Sequence, residues 1–434
     1  MSTSEVDSGK IQIVDANPTK DFFITMLTRD ITLVRSIIDL VDNSVDAANA
    51  SEDLENKWIK ITLSDTKFSI QDNCGGIAED IAMKQAFRFG RPSDAEDSIH
   101  SVGRFGVGMK RTLFKLGQNF VVTSHHQESS FEISVDVNTW LSEPEWEFEL
   151  VELENDSDDL GAIIEVSNLH QSVMEQFTLN SFINDLDDEI GLAHFKGINN
   201  GLQISINGTN VEADNIMIKQ SEKLNIVGIE KNIGGVDVTI RAGIGPRDKH
   251  EGGWYIVCNG RLIAAADQSK LTGWDADGIQ KYHPDYAYFR GIVDFECDDS
   301  DKLPWTTTKT GVDSDNGVYR SARTEMRSIM RKIIPFLKEK AKETSDFNKE
   351  LIGEKPMDEA IESAEEINIF EAEYSQNFIS PEGIQPNQIL DETTVTYKIP
   401  TDELDLVKEI LGASTAKEVG LETFNYFYEN ECED

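Results

Sequence analysis

The chain has few cysteines, and they are far apart. Its 434 residues include four, Cys74, Cys258, Cys297 and Cys432, and none of them form a C-x-x-C pair. Zinc sites and disulfide frameworks use closely spaced cysteines, so this spacing indicates neither kind of site. The low cysteine content predicts a reducing, cytoplasmic setting.

Long apolar runs are also missing. No stretch approaches the roughly 20 consecutive apolar residues that a membrane-spanning helix needs. The first ten residues, MSTSEVDSGK, have neither the basic start nor the apolar centre of a signal peptide. The sequence therefore predicts a protein with no membrane span.

Positive charge is scarce. Lysine and arginine number 40 against 80 aspartates and glutamates, which gives a formal net charge of −40. Binding to DNA needs cations that replace condensed counterions, so this balance disfavours direct contact with nucleic acid. It favours a protein partner or a small ligand instead.

Composition and periodicity divide the chain into five segments. A chain of 434 residues typically holds two or three domains. The expected segments are a polar N-terminal arm (1–19), a first domain (20–212), a second domain (213–343), an acidic linker (344–391) and a small strand-helix-helix module (392–434). Within this module, a strand is predicted over 395–399, and helices are predicted over 401–411 and 416–428.

One stretch, residues 31–50, has the pattern of an amphipathic helix with an acidic stripe. Isoleucines and valines at helical spacing predict one buried face. Asp39, Asn43 and Asp46 stand at positions i, i+4 and i+7 and therefore share one stripe of the helix. Carboxylate and amide oxygens without a neighbouring lysine suit a hydrated divalent cation. The alternative is an acidic face that is simply solvated.

A glycine-rich segment opens another predicted helix. Its pattern is Gly103-x-x-Gly106-x-Gly108-Met-Lys110. Glycines let backbone N–H groups approach an anion, and the helix start adds the positive end of its dipole. A lysine in the first turn opposes that dipole, so a phosphate between the two would explain its presence. The alternative is a surface loop.

A sharp turn, DNCGGI from Asp72 to Ile77, follows a predicted hairpin. A buried carboxylate at the end of a strand can accept a hydrogen bond from an exocyclic amine such as that of adenine. Gly76 would leave room for a flat ring, and Ile77 would give the ring an apolar floor. The alternative is an ordinary Asp-Asn turn.

Together the three motifs resemble those of the GHKL superfamily, named for gyrase, the ninety-kilodalton heat-shock chaperone, histidine kinases and MutL. LVDNSVDA is similar to its first motif, DNCGGI to its second and GRFGVGMKRTL to its third. The resemblance implies an α+β fold class, with a Bergerat-type ATP-binding α/β sandwich followed by a transducer-like α/β domain and a small C-terminal helical module. The layout is similar to that of MutL, Microrchidia (MORC) and heat-shock-ninety-type ATPases. The implied cofactors are ATP and Mg²⁺.

The resemblance also implies roles for individual residues. Asn43 would be the Mg²⁺ ligand, with Asp46 in the water shell of the metal. Asp72 would bind the adenine amine, and Gly76 and Ile77 would flank the base. The phosphates would lie against the glycine-rich loop, whose residues are Gly103, Arg104, Phe105, Gly106, Val107, Gly108 and Lys110.

Two implied roles are catalytic. Asp39 stands where relatives that hydrolyse ATP carry the glutamate that orients the attacking water, and it is one methylene shorter. Lys309, in a loop of the second domain, would reach the γ-phosphate across the domain boundary; a solvated loop lysine is the alternative. Arg261, in an N-G-R segment similar to that of MutL and MORC, is interpreted as structural.

Two further positions concern the adenine pocket. Thr123 matches a strand threonine that supports the adenine-binding aspartate through water in this family. Cys74 replaces the first glycine of the family's turn, so Gly75 is expected to take the strained backbone conformation instead.

The resemblance implies a slow ATPase that dimerises with ATP and uses closure of the homodimer as a conformational switch. The acidic C-terminal region would bind a protein partner or hold the dimer together. By analogy, the pathway would be bacterial DNA maintenance or defence against foreign DNA. The alternative function is a nucleotide-dependent interaction module that does not hydrolyse ATP. A protein kinase is disfavoured by the transducer-like domain.

Overall fold

The computed structural model describes most of the chain. The described residues are 18–51, 53–88, 108–155, 159–306, 309, 311–384 and 395–432. They belong to two compact units, residues 1–384 and 385–434.

The larger unit alternates helices and strands along the chain. Its helices are α1 (Lys20–Arg29), α2 (Leu33–Asn49), α3 (Glu79–Ile81), α4 (Gly108–Leu116), α5 (Val137–Ser142), α6 (Gln171–Phe177), α7 (Asn180–Ala193), α8 (Phe195–Asn199), α9 (Gly317–Asn348) and α10 (Pro356–Ser363). A π-helical turn, Ala82–Ala86, continues α3, and 3₁₀ turns cover Lys270–Thr272, Pro284–Tyr286 and Ser300–Lys302. Its strands are β1 (Trp58–Leu63), β2 (Lys67–Asp72), β3 (Gly117–His125), β4 (Ser130–Asp136), β5 (Leu150–Leu153), β6 (Gly161–Leu169), β7 (Gln203–Ile206), β8 (Thr209–Asn210), β9 (Met217–Gln220), β10 (Ile226–Ile233), β11 (Val236–Ile244), β12 (Gly253–Cys258), β13 (Arg261–Asp267), β14 (Phe289–Glu296), β15 (Glu365–Asn368) and β16 (Tyr374–Ser375).

The first region of this unit, residues 18–212, is built on an eight-stranded mixed sheet. The strand order is β5-β4-β3-β6-β2-β1-β7-β8. Neighbouring strands are antiparallel except β1 and β7, which are parallel. Buried and more exposed residues alternate along β1 and β2, as expected for strands with one face on a core.

Helix α2 lies at the centre of the first region. Thr32 caps its N-terminus by accepting a hydrogen bond from the Arg35 N–H at 3.2 Å, and no glycine or proline interrupts the helix. Ile37 and Val41 are fully buried, and the helix contacts α4, α7 and β2. Burying each such side chain contributes roughly 1.5–3 kcal/mol. The helix predicted from the periodicity is confirmed.

The second region, residues 213–384, has a six-stranded sheet crossed by a long helix. The strand order is β13-β12-β14-β11-β10-β16, with β12 parallel to β14 and β10 parallel to β16. The 32-residue helix α9 buries Tyr319, Met326 and Ile333 in the core that it shares with this sheet. A separate two-stranded sheet joins β9 to β15.

The predicted acidic linker, residues 344–391, is wrong for residues 344–384. Helix α9 runs to Asn348, and α10, β15 and β16 follow it. Met357, Ile361 and Ile369 are buried in the cores of the second region. High acidity made the segment look unstructured, but three or four apolar residues are enough to dock a short segment onto a core that already exists. The second region therefore extends well past residue 343.

The smaller unit consists of two helices, α11 (Thr401–Leu411) and α12 (Ala416–Glu431). Gly412, at a φ of 67°, ends α11, and Thr415 and Glu418 form a capping box on α12. The predicted helices are confirmed, but the strand predicted over 395–399 is wrong, since these residues have no regular structure. A strand needs a pairing partner, and no strand lies in the described part of this unit.

Helices and sheets of both regions give the mixed α+β class that was predicted. None of the helices in the described part of the chain combines the length and the apolar character that a membrane crossing requires.

The contact between α9 and α10 yields a stability prediction. Glu343 is buried, and its carboxylate accepts hydrogen bonds from the N–H groups of Met357 at 3.2 Å and Asp358 at 3.3 Å, which caps α10. Replacing Glu343 with alanine should lower the free energy of unfolding by about 1–2 kcal/mol, as measured by urea denaturation. Replacing the exposed Glu354 with alanine should change it by less than about 0.5 kcal/mol. Equal effects of the two variants would contradict the capping role.

Candidate functional site

Helix α2 carries the predicted acidic stripe, and its polar residues differ in exposure. Asp39, Asp42 and Ser44 are buried, whereas Asn43 is exposed and Asp46 is half-buried. Each of the three buried side chains contacts a different part of the larger unit. These parts are α4, the second region and the end of β2.

Asp72 ends β2 and is bonded to α2. Its Oδ2 accepts a hydrogen bond from the Ser44 hydroxyl at 2.7 Å. Its Oδ1 accepts from the backbone N–H groups of Cys74 at 2.9 Å and Ala162 at 3.3 Å. Burial raises the pKa of Asp72, and these hydrogen bonds oppose the rise. The sequence analysis predicted neither Ser44 nor Ala162. Ser44 could have been noticed only because it is adjacent to Asn43, and Ala162 acts through its backbone N–H, which every residue except proline has.

A close approach of β6 brings the Ala162 N–H to this carboxylate. A Cβ at Gly161 would lie 1.9 Å from the backbone oxygen of Asp72. Since any side chain would push the strand away, the residue at this position must be glycine.

The turn after Asp72 depends on its two glycines. Gly75 has a φ of 103° and Gly76 a φ of 72°, so the expectation that Gly75 takes the strained conformation is confirmed. A Cβ at Gly76 would also lie 2.3 Å from the backbone oxygen of His125. Cys74 is buried, and burial raises the pKa of its thiol to about 12, so it stays protonated.

Ile77 joins the turn to β3. Its N–H donates to the Ser124 hydroxyl at 2.7 Å, and that hydroxyl donates to the Ile77 carbonyl at 3.0 Å. Thr123, the preceding residue of β3, is half-buried and pairs with Ile163 of β6. The water-mediated link from Thr123 to Asp72 stays a prediction.

The glycine-rich loop is described only at its end. Gly103, Arg104, Phe105, Gly106 and Val107 lie outside the described residues. Gly108 is the first residue of α4, and a Cβ there would lie 3.3 Å from the Cβ of Asp39. The structure therefore brings the third motif against the first.

Asp39 is held by a residue that sequence reasoning missed. Arg111, one turn into α4, donates to Asp39 Oδ2 from Nε at 2.8 Å and also from Nη2. Both side chains are largely buried. Burial raises the pKa of Asp39, while the charges of Lys309 and Arg111 oppose the rise. The GMKRTL sequence contains Arg111, but its orientation toward α2 depends on how the two helices pack.

Lys110 points to a backbone carbonyl. It is almost fully buried, and its Nζ donates to the Ala86 oxygen at 2.6 Å. Burial lowers the pKa of its ammonium group to about 7. The predicted contact between Lys110 and a phosphate stays a prediction, since the structure orients this side chain to the π-helical turn.

Asp42 is the centre of a buried ion cluster that joins the two regions. Its Oδ2 lies 2.7 Å from Lys309 Nζ, and its Oδ1 lies 2.8 Å from Arg261 Nε and 3.1 Å from His194 Nε2. Burial alone would raise the pKa of Asp42, but Arg261 and Lys309 hold it well below its usual range. Burial lowers the pKa of His194, so the two fixed cations are the main counter-charges.

A tight hairpin supplies Arg261. Asn259, at a φ of 45°, and Gly260, at 77°, form the turn between β12 and β13. The Asn259 side chain accepts from the Cys297 N–H and donates to the Cys297 carbonyl, both at 3.0 Å. The turn therefore positions Arg261 beside Asp42. Arg261 thus has a more specific structural role than the sequence indicated.

Lys110 should make stability depend on pH. Its pKa is about 7 in the folded chain and near 10.5 when unfolded, so the unfolded state binds more protons between these values. The free energy of unfolding should therefore rise with pH across this window, by about 1 kcal/mol per pH unit. Urea denaturation from pH 7.5 to 9.5 should show a smaller slope for Lys110→Met than for the exposed control Lys84→Met. Identical slopes would show that Lys110 keeps its normal pKa.

Comparison with known proteins agrees with the geometry of the site. No curated protein matches the chain in sequence. Residues 31–167, which contain all three motifs, match the family model described as "Histidine kinase-, DNA gyrase B-, and HSP90-like ATPase". This part of the chain is therefore an ATP-binding domain of the GHKL superfamily.

Proposed function

We propose that the chain binds ATP with Mg²⁺, hydrolyses it slowly and uses the bound nucleotide to control closure of a homodimer. One observation carries the proposal: the hydrogen bond between Ser44 and Asp72. This hydrogen bond fixes the Asp72 carboxylate, which is expected to bind the base, against α2. The same helix exposes Asn43 to solvent.

The donors to Asp72 among the described residues leave one acceptor position for the base. An ionised carboxylate offers about four lone-pair positions. Cys74 and Ala162 occupy two on Oδ1, and Ser44 occupies one on Oδ2. The remaining position on Oδ2 suits the amine of adenine and would repel the carbonyl oxygen of a hypoxanthine or guanine base.

The phosphates and the metal would lie beyond the base, along α2. The exposed carboxamide of Asn43 provides a neutral oxygen ligand, which fits Mg²⁺, and Asp46 is close enough in the helix to bind the water shell of the metal. The N-terminus of α4 at Gly108 would add backbone N–H groups and its positive dipole end. When bound, Mg²⁺ would neutralise phosphate charge and orient the triphosphate.

Hydrolysis would involve Asp39 and Lys309. Asp39 would orient the attacking water, and Lys309 would stabilise charge on the γ-phosphate. The charge of Lys309 favours the ionised form of Asp39, as Arg111 does, which supports a shared site for Asp39 and Lys309.

A specific observation favours a second candidate, a nucleotide-dependent module without turnover. Arg111 binds Asp39 through two N–H groups and competes with any water for its carboxylate. If this pair persists with ATP bound, the domain would bind nucleotide and change its contacts without hydrolysing it.

The smaller unit would bind a protein partner. Its helices expose many large apolar side chains, namely Leu406, Ile410, Leu411, Leu421, Phe424, Tyr426, Phe427 and Tyr428. Such a surface is typical of an interaction site. A MutL- or MORC-like role in bacterial DNA maintenance or defence against foreign DNA is proposed by analogy with the family's layout.

The acceptor position on Asp72 predicts base selectivity. Inosine triphosphate differs from ATP by a carbonyl in place of the adenine amine. Titration calorimetry with Mg²⁺ should show roughly 100-fold weaker binding of inosine triphosphate, because the carbonyl would face a carboxylate. Asp72→Asn should reduce this difference in affinity between ATP and inosine triphosphate, because its amide can donate a hydrogen bond to the carbonyl of the hypoxanthine base. Equal affinities in the unmodified protein would contradict the assignment of Asp72.

The catalytic assignment predicts a loss of turnover without a loss of binding. Asp39→Asn should reduce phosphate release by about 100-fold, because the amide is not a base. Its affinity for a non-hydrolysable ATP analogue should stay within about threefold of the original. The exposed Asp30, just before α2, provides the control variant Asp30→Asn. An unchanged rate in Asp39→Asn would exclude Asp39, and absence of phosphate release in the unmodified protein would favour the module without turnover.

A further inference from the structure

We propose that Asp42 is a positioning residue for γ-phosphate recognition: it holds Lys309 in the orientation in which the ammonium group meets the terminal phosphate. The inference rests on the proposed function and adds to it a residue that touches no nucleotide. Asp42 is completely buried, while its neighbour Asn43 is exposed.

The first step is the geometry of Lys309. Its backbone has a φ of 53°, in the left-handed region, and its N–H donates to the Thr306 carbonyl at 2.9 Å. An L-residue adopts this conformation at a cost, so surrounding contacts must hold it. Its ammonium group donates to Asp42 Oδ2 at 2.7 Å, and among the described residues no other acceptor takes a hydrogen bond from it, which leaves two N–H groups for a ligand.

The second step is the charge balance. Arg111, Arg261 and Lys309 lie around two carboxylates, Asp39 and Asp42. Among the described residues, these three cations and two anions leave one net positive charge at a largely buried place. A net positive charge attracts an anion strongly where water is excluded. The γ-phosphate proposed to lie near Asp39 would supply that anion.

The third step is the anchoring of Asp42 itself. Arg261 Nε lies 2.8 Å and His194 Nε2 lies 3.1 Å from Oδ1, whereas Lys309 contacts the other oxygen, Oδ2. Arg261 is fixed by its hairpin, and His194 directly follows α7. Cationic and imidazole contacts on both oxygens restrict the rotation of the carboxylate, which favours the observed orientation of Lys309.

The test is the preference for ATP over ADP. The dissociation constants of adenylyl imidodiphosphate and of ADP, each with Mg²⁺, would be measured by titration calorimetry on the full chain. Asp42→Asn should reduce the preference for the triphosphate at least tenfold and leave ADP binding within about twofold. Lys309→Met should have the same effect. The double variant should lose no more than either single variant, because both remove one interaction.

A matched control removes another ion pair between the two regions. Asp294 of β14 is also buried and binds Lys196 of α8 at 2.6 Å. Asp294→Asn should leave the preference for the triphosphate unchanged, even if the protein becomes less stable. If Asp294→Asn lowers the preference as much as Asp42→Asn does, Asp42 acts only through stability and the inference is wrong.

The remaining outcomes separate the inference from the proposed function. If the unmodified protein binds neither nucleotide, the proposed function itself fails. If Lys309→Met loses the preference and Asp42→Asn keeps it, the function stands and the positioning role is wrong. If neither variant changes the preference, Lys309 does not sense the γ-phosphate and the inference falls with it. Should Asp42→Asn fail to fold because Arg261 is left buried and unpaired, Asp42→Asn with Arg261→Gln keeps the charge balance and takes its place, with the same expected loss.

Discussion

The whole arrangement of the larger unit depends on neutralising one buried carboxylate. Asp42 is excluded from water, and an ionised group in that position is stable only with counter-charges in contact. Helix α2 has no cation within reach, so the counter-charges come from the second region as Arg261 and Lys309. The ATP-binding domain and the second region are consequently joined at the helix that presents Asn43 to solvent.

Helix α2 organises the site because three of its buried polar groups bind elements distant in sequence. Asp39 binds Arg111 of α4, Asp42 binds the second region, and Ser44 binds Asp72 at the end of β2. A polar group inside a core must be paired, so each contact specifies how one element packs on the helix. The helix needs no lysine beside Asp39 or Asp42, since α4 and the second region supply the cations that contact these two carboxylates.

The elements that sequence patterns predicted well are those with strong local signals. The periodicity of α2, the hairpin before the DNCGGI turn and the positive φ of Gly75 all reflect local backbone or packing requirements. Residues 344–384 were wrongly predicted to be a linker because their overall composition is acidic. Their packing on the core of the second region depends on a few apolar residues such as Ile369. Residues 395–399 were misread because β-propensity does not supply a pairing strand.

The sequence by itself determined the family of the ATP-binding domain, because the family's motifs consist of residue types at fixed short spacings. Only the tertiary structure decided which charges meet. Arg111 lies 72 residues from Asp39, and Lys309 lies 267 residues from Asp42. An ion pair between distant segments produces no periodic pattern in either segment. Its partners can therefore be identified only from the folded structure. The orientation of Lys110 toward Ala86 was hidden for the same reason, since a backbone carbonyl looks alike at every position in a sequence.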